Sequence, residues 1–258
     1  MINSPLANQD VLRGVVEFVD PTQYLFFGLV SRAWRDAWGR RLTVTSIATA
    51  DFSVSQLRYG LRCGLPTYLH GVCSMAAEGG HLKILQWLRE IDCPWDEDVC
   101  SIAAIEGHLE VLRWAKENGC RWNRETCSNA AFGGHLATLQ WARDKGCPWD
   151  EGSCCGAARG GHLDVLRWAK ENGCPWDDRT CSFAARRGHL DVLRWARANS
   201  CPWNEGTCTE AGKGGHLDIL QWAREHGCPW DEEVCRFADR HGHEHVLAWA
   251  RENGCPQY

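Results

Sequence analysis

Asp96 to Trp122 reads DEDVCSIAAIEGHLEVLRWAKENGCRW, and this 27-residue stretch decides the fold. Asp96 is a residue type that caps helices, and Glu97 and Asp98 suit the positive end of a helix dipole. Cys100, Ala103 and Ala104 then make an i, i+3, i+4 stripe, the spacing of one buried helical face. Gly107 ends that helix. A second is expected from near His108, with Leu109, Leu112 and Ala115 on one side, flanked by Val111 and Trp114. Gly119 follows the polar end as a C′ glycine, and the chain turns through Cys120 and Trp122. The stretch leaves no room for a strand.

The same stretch recurs. His81, His108, His135, His162, His189, His216 and His243 are each 27 residues apart. Tryptophans follow six residues later, from Trp87 to Trp249, and a second tryptophan column runs from Trp95 to Trp230. Cysteines form two more columns, Cys73 to Cys235 and Cys93 to Cys255. Fourteen of the 16 cysteines and 13 of the 15 tryptophans fall in these columns, so the unusual composition and the periodicity are one fact. A short helix is marginal alone, whereas stacked copies bury one another's apolar faces. The expected architecture is therefore an all-α solenoid of helix pairs. Its small alanines allow close approach, its tryptophans fill the space between layers, and its repeat histidines hydrogen-bond locally at their turns.

The run Ala103-Ala104-Ile105-Glu106-Gly107-His108-Leu109-Glu110-Val111-Leu112 resembles the ankyrin repeat. That family has a period of about 33 residues and a Thr-Pro-Leu-His opening. Here Cys stands where the opening is expected, and the repeat is shorter by the length of a β-hairpin finger. The resemblance implies ankyrin-like helix pairs whose fingers are absent or reduced to a tight turn. The compact version is similar to repeats abundant in giant DNA viruses of amoebae. It covers about Val72 to Cys255. Leu57, Tyr59, Pro66 and Tyr68 align more weakly with Leu85, Trp87, Pro94 and Trp95. The implied organisation is a helical module over 1–41, a degenerate capping repeat over 42–68, and a seven-repeat solenoid over 69–258.

Residues 4–40 fall outside the period. Val11, Leu12, Val15, Val16 and Val19 make one helical face, and Asp20-Pro21 a stop. Val19-Asp20-Pro21 followed by Leu29-Val30-Ser31-Arg32-Ala33-Trp34 resembles the F-box, although the opening is Pro5-Leu6 where that family has Leu-Pro. The resemblance implies docking on the adaptor subunit of a cullin-RING ubiquitin ligase, through Leu6, Val11, Leu12, Pro21, Leu29, Val30 and Trp34. The alternative is a plain end cap on a stand-alone binding or sequestering protein.

The formal net charge of −5 argues against a general nucleic-acid or anionic-membrane binder. No apolar run is long enough to span a bilayer. The start of the chain lacks a basic region followed by an apolar one, so reduced thiols in a cytoplasmic or nuclear setting are expected, in a monomer. The cysteine spacings alternate between seven and twenty residues with no Cys-x-x-Cys, which fits packing better than a zinc site. His241, His243 and His245 are expected to spread apart. No nucleophilic triad, phosphate loop or dinucleotide fingerprint appears, so neither catalysis nor a cofactor is expected.

Two columns vary against this constant frame. Two residues after the helix cysteine stand Met75, Ile102, Asn129, Gly156, Phe183, Glu210 and Phe237. Five after it stand Glu78, Ile105, Phe132, Arg159, Arg186, Lys213 and Arg240. Variation belongs on an exposed face. Ile102, Ile105, Phe132, Arg159, Phe183, Arg186, Lys213 and Arg240 are therefore the candidate partner-binding residues. They suit a protein with an apolar anchor and an acidic stretch.

Overall fold

The computed structural model describes residues 71–256. The expected boundaries at 41 and 68 lie outside them, as do the candidate adaptor-binding residues Leu6, Val11, Leu12, Pro21, Leu29, Val30 and Trp34. The chain divides into two compact units, Met1–Trp95 and Asp96–Tyr258. The described part of the first unit is one helix pair, α1 (Val72–Glu78) and α2 (Leu82–Glu90). The second unit holds six pairs: α3 (Asp98–Ile105) and α4 (Leu109–Glu117), α5 (Arg124–Phe132) and α6 (Leu136–Asp144), α7 (Glu151–Gly160) and α8 (Leu163–Glu171), α9 (Asp178–Arg187) and α10 (Leu190–Ala198), α11 (Glu205–Gly214) and α12 (Leu217–Glu225), and α13 (Glu232–Arg240) and α14 (Glu244–Glu252). No strand occurs among the described residues. Where ankyrin-type fingers would stand, a short turn such as 118–123 connects one pair to the next.

Local chemistry sets each boundary. Asp96, Asn123, Asp150, Asp177, Asn204 and Asp231 each accept the backbone N–H two residues on, at 2.9–3.1 Å. This satisfies a donor that the first helical turn leaves open. At the other end of α4, Gly119 takes φ +85°, its N–H reaching the Lys116 carbonyl while Cys120 N–H reaches Ala115. That is the left-handed cap expected of a C′ glycine.

Within the second unit, successive first helices (α3, α5, α7, α9, α11, α13) pack along their lengths more closely than successive second helices do. Small residues permit this: Cys127, Ala130 and Ala131 of α5 are fully buried, as are their counterparts apart from Asp239 of α13. Gly156 of α7 sits so near α5 that a Cβ there would lie 2.4 Å from the Ser128 carbonyl oxygen. The second helices bury Val111, Leu112 and Ala115, and the equivalents of these, while Leu109 stays partly exposed.

The tryptophans depart from expectation. Trp141 and Trp168 are only part-buried, because Leu139 and Leu166 take the interior at zero exposure. Each indole instead stands edge-on to the turn tryptophan that ends the preceding repeat: Trp122–Trp141, Trp149–Trp168, Trp176–Trp195, Trp203–Trp222 and Trp230–Trp249, with centroids 5.8–6.0 Å apart. A cation from the second helix of the same repeat covers each turn indole at 4.1–4.2 Å: Lys116, Arg143, Lys170, Arg197 and Arg224. Such aromatic pairs and cation–π contacts contribute roughly 0.5–1.5 kcal/mol each. The indoles therefore join repeats along the outer edge of the stack.

The histidines are also inter-repeat residues, not local ones. The His189 ring lies over Gly161 of the preceding repeat, where a Cβ would come within 2.6 Å of it, and His135, His162, His216 and His243 repeat the arrangement. His216 Nε2 hydrogen-bonds the Arg186 carbonyl at 3.1 Å, and His243 Nε2 that of Lys213 at 3.2 Å. Both carbonyls belong to the C-terminal turn of a first helix, which lacks intrahelical donors.

Candidate binding surface

Each first helix buries the residues one before, at, and three and four after its cysteine, except that Asp239, four after Cys235 in α13, is exposed. In α5 these are Thr126, Cys127, Ala130 and Ala131. The opposite side faces outward, and there the candidate residues fall. Ile102, Ile105, Phe132 and Phe183 are half-buried, Arg159, Arg186 and Arg240 are exposed, and Lys213 is intermediate.

The structure brings some of these together. Phe183 and Arg186 line one cleft, spanning α9 to α13, with Ser182, Thr209 and Glu210. Ile102, Ile105, Phe132, Arg159, Lys213 and Arg240 lie outside it. The basic residues engage neighbouring repeats. Arg186 and Lys213 share the Glu210 carboxylate, at 3.3 and 3.4 Å. Arg159 stands over Phe132 and Lys213 over Phe237, both at 5.1 Å from the ring centroid. A basic strip read as fully open is thus partly neutralised, although exposed pairs of this kind contribute little stability, about 0–1 kcal/mol.

Part of the variation in the first column has a packing cause. Asn129 Nδ2 donates to the Ser101 carbonyl of the preceding first helix at 3.4 Å, and Gly156 abuts the Ser128 carbonyl. This column runs along the seam between first helices. Only its larger members, such as Phe183, reach the open face.

Sequence reasoning missed the acidic edge of the cleft. Asp178, Glu205, Asp231 and Glu233 line it together with Arg179 and Arg186. They had been set aside as helix-start residues, and Asp231 does cap its helix. The signal was their recurrence at the 27-residue period beside the varied columns. Acids stand in the first turn of each first helix of the second unit, while the second varied column places Arg159, Arg186, Lys213 and Arg240 at the C-terminal end of the last four. The face therefore runs from acidic to basic across its width.

The remaining sequence motifs resolve as follows. No group of three or more His, Cys, Asp or Glu side chains suited to a metal occurs among the described residues. His241, His243 and His245 do not spread apart: their rings form a row with centroids 6.3 Å apart, because His243 and His245 both reach back to carbonyls of the preceding repeat. The described cysteines are all buried. Burial pushes the Cys155 thiol up to about 12, while its contact with the Thr180 hydroxyl works the other way. Among the described residues, no helix is long and apolar enough to cross a membrane.

No family model matches the chain, and no curated protein matches it. Among solved structures, the crystal structure of the human ASB11 ankyrin repeat domain is similar, with a TM-score of 0.51 and 14% sequence identity over 69% of this chain and 96% of that one. At such identity the likeness is one of fold. Taken with the 27-residue helix pairs and the turns that replace the fingers, it establishes a compact version of the ankyrin-repeat fold.

Proposed function

We propose that this chain is a protein-binding scaffold whose first-helix face holds a target, and that its N-terminal segment docks the scaffold on the adaptor subunit of a cullin-RING ubiquitin ligase. The observation that supports target binding is a variable outward face on a near-invariant buried frame, with Phe183 set between an acidic edge and a basic edge. A half-buried aromatic flanked by charges of both signs suits an apolar anchor with polar flanks. The target carries that anchor, an acidic stretch toward Arg186 and Arg159, and a basic group toward Asp178 and Glu205. The adaptor role is supported by Asp20-Pro21 and Leu29-Val30-Ser31-Arg32-Ala33-Trp34 and by the order of the chain, a small module followed by a solenoid.

The test is a titration of the full-length protein with purified adaptor, beside the variant Leu29→Asp. Dissociation constants of about a micromolar or tighter, near −8 kcal/mol, are expected for the parent and loss of binding for the variant. Failure of the folded parent to bind any adaptor offered would remove the ligase role and leave a stand-alone scaffold. A second arm compares proteins captured by the parent and by Phe183→Asp. If the captured set is unchanged, the first-helix face is not the binding surface.

A further inference from the structure

Every repeat of the Asp96–Tyr258 unit carries two cysteines twenty residues apart: Cys100 and Cys120, Cys127 and Cys147, Cys154 and Cys174, Cys181 and Cys201, Cys208 and Cys228, and Cys235 and Cys255. One lies in the first helix and the other in the turn after the second helix. The fold sets the two thiols of each pair beside one another, close enough for each to perturb the other. The turn thiol is held in place by a second contact. Cys147 Sγ donates to the Asn123 carbonyl at 3.3 Å, and the turn cysteines of the other five repeats do the same at 3.1–3.4 Å. Cys127 Sγ lies 4.0 Å from the Cys147 carbonyl oxygen. A buried cysteine needs no more explanation than its small apolar volume. Two columns that meet thiol to thiol in each of six repeats are also six dithiols.

We infer that each of these repeats is a modification site for a low-molecular-weight disulfide, of the class of glutathione disulfide, which converts the thiol pair into an intra-repeat disulfide clasp. The turn thiol reacts first. Its neighbours Gly146 and Pro148 are exposed, so opening one short turn uncovers Cys147, whereas Cys127 lies inside the helix layer. The neighbouring Cys127 thiol and Arg143 shift Cys147 downward, against burial. Cys127 is shifted upward, by that same contact and by burial, and stays protonated. The Cys147 thiol gives its proton to solvent, and the thiolate attacks one sulfur of the small disulfide. The S–S bond breaks and one small thiolate leaves. Cys127 then loses its proton and attacks the Cys147 sulfur of the mixed disulfide, expelling the second small thiolate. Two protein thiols are oxidised, one disulfide is reduced to two thiols, and the two protons end on the two leaving groups. The contacting sulfurs must close to about 2.0 Å. The link would tie the first helix to the end of the second and restrict the unfolded chain.

Pairing should stay within a repeat, because each helix thiol is perturbed chiefly by its own turn thiol and only weakly by the next repeat's. Cys155 is an internal control. It lies outside both columns, and its contacts are Thr180 and Asp177.

The experiment uses the full-length chain, incubated folded with glutathione buffers of rising oxidised fraction, then alkylated and mapped by peptide mass spectrometry. Disulfides linking Cys127 to Cys147, and likewise in the other repeats, are expected. Cys155 should remain alkylated, the helical circular dichroism should be kept, and the urea midpoint should be higher and restored by dithiothreitol. Thiols that oxidise only once urea unfolds the chain would overturn the inference. So would links between different repeats, lasting glutathione adducts without closure, or an unchanged urea midpoint.

Discussion

Gly161 and Gly173 flank the second helix of one repeat and have nearly the same backbone, φ +79° and +81°. They differ in what stands above them. A Cβ at Gly173 meets nothing within 4 Å, whereas one at Gly161 would come 2.6–2.9 Å from atoms of the His189 ring. Alanine at either site incurs the left-handed penalty of about 1–2 kcal/mol. At Gly161 it must also displace a ring wedged between repeats, a further 1–3 kcal/mol or so. The expectation is that Gly161→Ala destabilises more than Gly173→Ala by that second amount. His189→Ala should remove the excess, so the Gly161→Ala/His189→Ala pair is non-additive. Urea unfolding followed by both circular dichroism and tryptophan fluorescence measures this, with coincident transitions licensing a two-state free energy. Two glycine variants that agree within about 0.5 kcal/mol, or additive behaviour with His189→Ala, would refute the ring-over-glycine account of how repeats are joined.

Two further substitutions test the same frame. Ser200 occupies the position equivalent to Gly173 at φ +66°, so Ser200→Gly should raise stability by about 1 kcal/mol, read as a higher urea midpoint. The Thr207 hydroxyl is buried without a hydrogen-bond partner, and Val99 and Val234 fill the corresponding position in other repeats. Thr207→Val should therefore be neutral or stabilising by up to about 1 kcal/mol, and a loss of that size in the same assay would show that the hydroxyl is bonded.

The local elements were readable from residue types at a fixed spacing. Asp96 and its counterparts start helices because their side chains accept backbone N–H groups two residues away. Gly119 ends one because it adopts positive φ, and the Cys-Ala-Ala stripe is buried because small residues recur on one helical face. None of these needs a distant contact, so one 27-residue stretch was enough to give helix pairs, their turns and their stacking.

Contacts between repeats were different, because a period shows that residues are equivalent without showing what each one faces. The tryptophans read as filler between layers, but Leu139 and Leu166 take that space and leave the second-helix indoles to the cation-covered turn tryptophans of the preceding repeat. The histidines read as local turn residues, yet their rings lie over glycines and reach carbonyls about 30 positions earlier. Glu210 is one acid among many in the sequence; Lys213 is its i+3 neighbour on the same helix, but only stacking brings Arg186 of the preceding repeat to it. The acidic edge of the cleft and the thiol pairs arise in the same way. Each needs the distance between chain segments, which is decided by how closely the small first-helix residues let neighbouring backbones approach.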